Sequence, residues 1–138
     1  MQPASHLSLI RQGWISLALW ITFGILFEGL CTFRFSVLDD AVRCEMFRLA
    51  HAHGTLLNLV LIAAAICARL ELIRVGFKTS VGLRTAAVLL PSGFFFSGLW
   101  HFRDEPGLAI LLVPIGAVLL LVSAVYICLT LPGCEKDV

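Results

Sequence analysis

Four side chains in this sequence could hold a metal, a haem or a proton where the chain otherwise resists polarity: Glu28, His51, His53 and His101. Each lies in or beside a long apolar run, where an ionisable group is costly and marks a function or a specific polar partner. The densest stretch is Arg48-Leu49-Ala50-His51-Ala52-His53-Gly54-Thr55-Leu56-Leu57-Asn58. It sets two imidazoles, a hydroxyl and an amide at the mouth of an apolar segment. Histidine and carboxylate ligands suit zinc, copper or iron. One histidine from each of two helices, His51 and His101, could instead hold a haem axially. Two other readings stay open. Glu28 could accept hydrogen bonds from His51 or Arg48 and join two helices, as buried polar groups in membrane bundles do, or the groups could belong to a proton or solute path.

Helical spacing separates the two adjacent histidines. At 100° per residue, His51 shares a polar stripe with Cys44, Arg48, Thr55 and Asn58. His53 is rotated about 200° away and shares its side with Leu49, Leu56 and Leu57. The His51 stripe is expected to face the bundle interior and His53 a different neighbour, so the pair does not chelate one ion unless the helix is irregular at Gly54. Phe94, Ser97 and Gly98 fall on the His101 side of their helix. Glu28 sits about five residues inside the end of its helix, roughly 7–8 Å below it. A bare carboxylate at that depth is prohibitive. Glu28 and His51 are therefore expected in one interhelical space, with Arg48, Asn58 and His101 as candidate second partners.

The run His51-Ala52-His53-Gly54-Thr55-Leu56-Leu57 resembles histidine-bearing helices of the haem–copper oxidase and nitric oxide reductase superfamily. It is similar, too, to those of the haem–copper membrane proteins of the nitric-oxide response. The likeness covers seven of 138 residues. Those proteins have many more helices and further haem histidines, without counterparts here, so it implies only a ligand role for His51 or His53. As a whole the chain resembles small bacterial four-helix membrane proteins, which implies a topology and no activity.

The elements that must position these groups follow from composition. At 59% hydrophobic and 14% charged residues, the chain is far greasier than a soluble domain, which carries roughly 45–50% apolar and about 25% charged residues. The excess gathers in four runs, each near the roughly 20 residues that cross a bilayer. They predict an all-α integral membrane four-helix bundle, one transmembrane domain over residues 1–138, with helices about 14–33, 41–72, 83–102 and 108–131. The first run is longer than the roughly 7–15 residues of a signal-peptide core and ends without a small-residue cleavage site, so it reads as a retained helix. Trp14 and Phe33 are its interfacial anchors. Asp39 or Asp40 can cap the second helix near Ala41, and Arg69, Glu71 and Arg74 mark its exit. Val75 to Gly82 reads as a basic loop. Pro91 predicts a kink in the third helix, leaving Ala87 without its intrahelical donor, and Gly93 should let a neighbouring backbone approach closely. Arg103 to Gly107 is a polar turn, Pro132-Gly133 stops the last helix, and the tail from Cys134 should fray.

Four crossings place Glu28, His51, His53 and His101 toward one membrane face. Lys and Arg divide six to four in favour of the face carrying both termini, which predicts cytoplasmic termini in a bacterial inner membrane. The five cysteines show no C-x-x-C spacing and read as packing residues and thiols. Cys31 and Cys44 come near the same face, where a disulfide could form. A net charge near +1 argues against nucleic-acid binding, and no nucleophile–base pair supports hydrolysis. Helix four offers only Ser123, Tyr126 and Thr130 toward a transport path. The expectation is a small membrane protein, embedded in the lipid bilayer, whose Glu/His cluster binds a transition metal or haem within a redox or respiratory assembly. The alternative is a non-catalytic accessory subunit of a larger membrane complex or homo-oligomer, with the cluster serving helix packing.

Overall fold

The computed structural model describes residues 3–33, 40–102 and 105–131, with side chains from residue 6 onward. They form four helices: α1 (Pro3–Thr32), α2 (Ala41–Arg69), α3 (Phe77–Leu99) and α4 (Leu112–Leu129), the last preceded by a single 3-10 turn, Leu108–Leu111. No strand occurs among the described residues. All four helices are long and apolar enough to cross a membrane. The chain is an all-α membrane bundle, the form lipid imposes when every backbone N–H and C=O must be satisfied within its own segment.

The helix ends differ from the sequence expectation where polar residues extend a helix beyond its apolar run. Leu9, within the stretch read as a polar flank, is 1% exposed and belongs to the core, so α1 begins at Pro3 rather than near Trp14. Likewise α3 starts at Phe77, inside the expected loop, and buries Thr79 and Ser80. The other end of α2 stops earlier, at Arg69. Its closing turn has Leu72 N–H donating to Cys67 O at 3.0 Å and Glu71 N–H to Ala68 O at 3.3 Å, with Glu71 at φ 62°. Glycine normally fills that left-handed position. Asp40 caps α2, its Oδ1 accepting from Arg43 N–H at 2.8 Å. The other cap candidate, Asp39, lies outside the described residues, as do Arg103, the Pro132-Gly133 stop and the tail from Cys134.

Packing follows chain order, α1 on α2, α2 on α3 and α3 on α4. Half of the spanning window of α3 is buried but only 11% of that of α4, so the outer helices keep most of their surface for the surroundings. Leu9, Leu57, Leu61, Ala65, Leu83, Ala87 and Leu90 make the core. Between membrane helices, packing and small residues replace the hydrophobic drive. The antiparallel α1–α2 seam shows it: Ile62 fills the hollow at Gly13, Trp20 the hollow at Gly54, and the His51 ring the hollow at Gly24. Farther along, Phe23 and Phe27 meet Phe47 at 5.5 and 6.1 Å between centroids.

On the other side, α3 and α4 approach through Gly93, where a Cβ would stand 2.8 Å from Val113 Cγ2 and 3.2 Å from Ala109 O. That is the close approach expected of this glycine. The α3 helix continues through the buried Pro91, whose missing N–H leaves Ala87 O without its usual donor. Ser97 Oγ donates to Gly107 O at 3.0 Å, and Gly107 N–H donates back to Ser97 O at 3.1 Å. This reciprocal pair aims the chain into α4.

Two substitutions test these points by reversible unfolding in lipid or detergent. Glu71→Gly should stabilise the protein by about 1 kcal/mol by removing the left-handed strain of a Cβ-bearing residue; a loss of stability would mean the Glu71 side chain carries a contact worth more. Gly24→Ala should destabilise by about 1–3 kcal/mol through overpacking, and His51→Ala in the same chain should recover most of that loss. Additive losses would show that the Gly24 hollow does not seat the ring.

Candidate functional site

The start of α2 and the end of α3 meet on one membrane face and bring together Asp40, Arg43 and His101. Asp40 is held first as the helix cap, which leaves Oδ2 to approach His101 Nε2 at 3.2 Å. Arg43 Nε donates to Gly98 O at 3.3 Å, and its Nη2 stands 3.4 Å from His101 Nε2. That nitrogen thus stands between a carboxylate, which accepts, and a guanidinium, which only donates, and the two contacts call for opposite tautomers. The other nitrogen, Nδ1, is buried without a hydrogen-bond partner among the described residues. With the His101 side chain 10% exposed and Asp40 31% exposed, water screens this contact only in part. Its close geometry depends on Gly98, where a Cβ would lie 2.7 Å from Met46 Cβ.

His51 is placed elsewhere, on the α1 side of α2. Its Nδ1–H donates to Trp20 O at 2.9 Å, and its ring occupies the hollow at Gly24. His53 turns toward α3, as its angular offset predicts. Its ring lies over Phe94 with centroids 4.9 Å apart, while Nδ1–H donates to Leu49 O, one turn back, at 2.9 Å. Glu28 is exposed on α1. Its side chain has no hydrogen bond or ion pair among the described residues. The His51 ring lies at Gly24, one helical turn before Glu28, but its hydrogen bond goes to the Trp20 carbonyl and not to Glu28. Of the candidate second partners, Arg48 pairs with Glu45 at 3.1 Å. Asn58 is fully buried, with Nδ2 donating to Gly54 O at 2.7 Å.

No three His, Cys, Asp or Glu side chains among the described residues stand close enough to hold one metal ion. The groove between α1 and α3, about 380 Å³, is lined by Ser16, Trp20, Phe23, Ser92, Phe95 and neighbouring apolar residues, with no histidine or carboxylate. His51 and His53 each fix Nδ1 on a backbone carbonyl, and His101 holds Nε2 beside Asp40 and Arg43 with Nδ1 buried and without a hydrogen-bond partner among the described residues.

Sequence reasoning singled out His101 but missed its partners, Asp40 as an ion-pair acceptor and Arg43. The signal was available: a cap residue at the start of α2 and a histidine just past the end of α3 must share a face. It also missed Arg84, which lies within α3 rather than beside a loop and donates from Nη2 to Ser8 Oγ on α1. No known protein family, curated protein or solved structure matches the chain, so its function is argued from these contacts.

Asp40→Ala should cost about 1–2 kcal/mol, since one carboxylate serves both the cap and His101. In a double-mutant cycle with His101→Ala, a coupling of about 0.5 kcal/mol or more marks a working contact. Strict additivity would reduce Asp40 to a helix cap.

Proposed function

We propose that this chain is an accessory subunit of a larger membrane complex, with the outward face of α1 as its contact surface. Glu28 is the observation that carries this reading. Trp14, Ala18, Ile21, Ile25, Glu28 and Thr32 recur at three- and four-residue steps along α1, and all are exposed. A carboxylate on such a face needs a donor or cation, and a partner helix supplies one. Parallel self-pairing about a two-fold axis would set Glu28 against Glu28, so a different subunit fits better than a second copy. The polar groups between helices then serve packing, each contact contributing about 0.6–2 kcal/mol. The six-to-four division of Lys and Arg supports cytoplasmic termini in a bacterial inner membrane under the positive-inside rule.

A second reading rests on the imidazoles. His51 and His53 each hold Nδ1 on a carbonyl, and His101 holds Nε2 on Asp40; this supports one of them as a haem or transition-metal ligand. Glu28, His51, His53 and His101 are the ligand candidates, and one axial histidine needs no convergent cluster.

The readings separate experimentally. A photo-cross-linking residue at Ile25, in native membranes, should give an adduct with another membrane protein, and Glu28→Leu should abolish it. Absence of any adduct at Ile25, or a homodimer alone, overturns the subunit reading. Soret absorbance and metal analysis of the mildly solubilised protein address the second: a bound group lost in His51→Ala or His101→Ala supports it, and a colourless, metal-free protein rejects it.

A further inference from the structure

The antiparallel seam between α1 and α2 keeps its register to the end of both helices. Gly13 faces Ile62, Gly24 faces His51, and Phe27 faces Phe47. The next step along the same line, four residues beyond Phe27 on α1 and three before Phe47 on α2, sets Cys31 opposite Cys44, near enough for the two thiols to interact. Both are half-buried, so the pair packs into the seam yet remains open to reagents from one side. It lies beside the Asp40–Arg43–His101 contact, on the face opposite residues 3 and 131. Cys67 is at the other end of α2, and Cys128 is near the end of α4. Neither belongs to this pair.

We infer that Cys31 and Cys44 form a redox-active dithiol that closes to an interhelical disulfide by exchange with an external disulfide. The inference is independent of the subunit and cofactor readings. One thiolate of the pair attacks a sulfur of the external disulfide, forming a mixed disulfide and expelling the first external thiolate. The second thiolate then attacks the protein sulfur of that mixed disulfide. This forms the Cys31–Cys44 bond and expels the second external thiolate, so two protein thiols are oxidised and one external disulfide is reduced to two thiols. A disulfide requires sulfurs about 2.05 Å apart, and closure brings the two thiols to that distance across a seam whose register already sets them opposite one another. Helix register supplies what sequence spacing lacks: the twelve residues between the cysteines hide the pairing from any C-x-x-C reading.

The partner class is a protein or low-molecular-weight disulfide, for which oxidised glutathione is the test probe. The full chain in lipid nanodiscs is treated with it, blocked by alkylation and mapped by mass spectrometry. The expected product is a Cys31–Cys44 cross-linked peptide that reduced glutathione reopens. In C31S or C44S the remaining thiol should instead hold a glutathione adduct. That adduct should clear at least roughly tenfold more slowly than in the wild type, where the second thiol acts at high effective concentration. A C67S/C128S variant should close as the wild type does, which separates pairing from general thiol oxidation. The inference fails if the wild type retains both thiols, keeps stable adducts on both without closure, or forms a different pairing.

Discussion

The close approach of α1 and α2 is the constraint from which the rest of the structure follows. Lipid supplies no hydrophobic drive between helices, so their association depends on how near two backbones can come. Gly13, Gly24 and Gly54 provide three hollows, and Ile62, His51 and Trp20 fill them. Because the fillers alternate between the two helices, the seam has one satisfactory register. A slip of one turn would set Trp20 against a side-chain-bearing surface and strip His51 of its carbonyl. The aromatic cluster of Phe23, Phe27 and Phe47 inherits its position from that register, as does the cysteine pair.

The same medium explains how the polar residues are spent. Thr22, Thr55, Asn58, Ser123 and Thr130 each donate to a carbonyl one turn back in their own helix. His53 does likewise. Such contacts satisfy a donor without needing a neighbour, which suits a bundle whose outer helices are largely exposed; the buried Oδ1 of Asn58 has no hydrogen-bond partner among the described residues. Contacts between helices are fewer and fall at particular heights: His51 to Trp20, Arg43 and Asp40 to the end of α3, and Arg84 to Ser8. A polar residue in an apolar run therefore does not by itself announce a site. Its donor must be traced to an acceptor before it counts as one.

That tracing separates what was legible in the sequence from what was not. Helix number, the Asp40 cap, the opposed directions of His51 and His53 and the close approach at Gly93 follow from periodicity and from local steric rules. Helix ends were less legible, because α1 and α3 begin at Pro3 and Phe77, where the helical backbone runs beyond the apolar stretch through residues read as flank or loop. The Schellman-type end of α2 was hidden by a glutamate where glycine is usual. Proximity of Glu28 and His51 was inferred from depth alone. Depth leaves rotation about the α1 axis undetermined, and Glu28, one turn beyond Gly24, is exposed.

The first turn of α2 is where these strands of the structure join. Asp40 reaches His101 just past the end of α3, Arg43 reaches Gly98 within it, and Cys44 faces Cys31 across the seam with α1. Three residues within a span of five thus tie α2 to both neighbours at the same membrane face. A helix start is a demanding place for this, since its first N–H groups lack intrahelical acceptors and Asp40 already satisfies one of them. One carboxylate serves both the cap and His101, and Arg43, whose backbone N–H it holds, is the residue whose side chain reaches Gly98. Cys44 sits one residue farther along the same turn. The α1–α2 seam and the contact that holds His101, whose Nδ1 is buried without a partner among the described residues, therefore share one turn of helix. Deeper in the bundle, the α2–α3 contact is made by apolar side chains and by the His53 ring over Phe94.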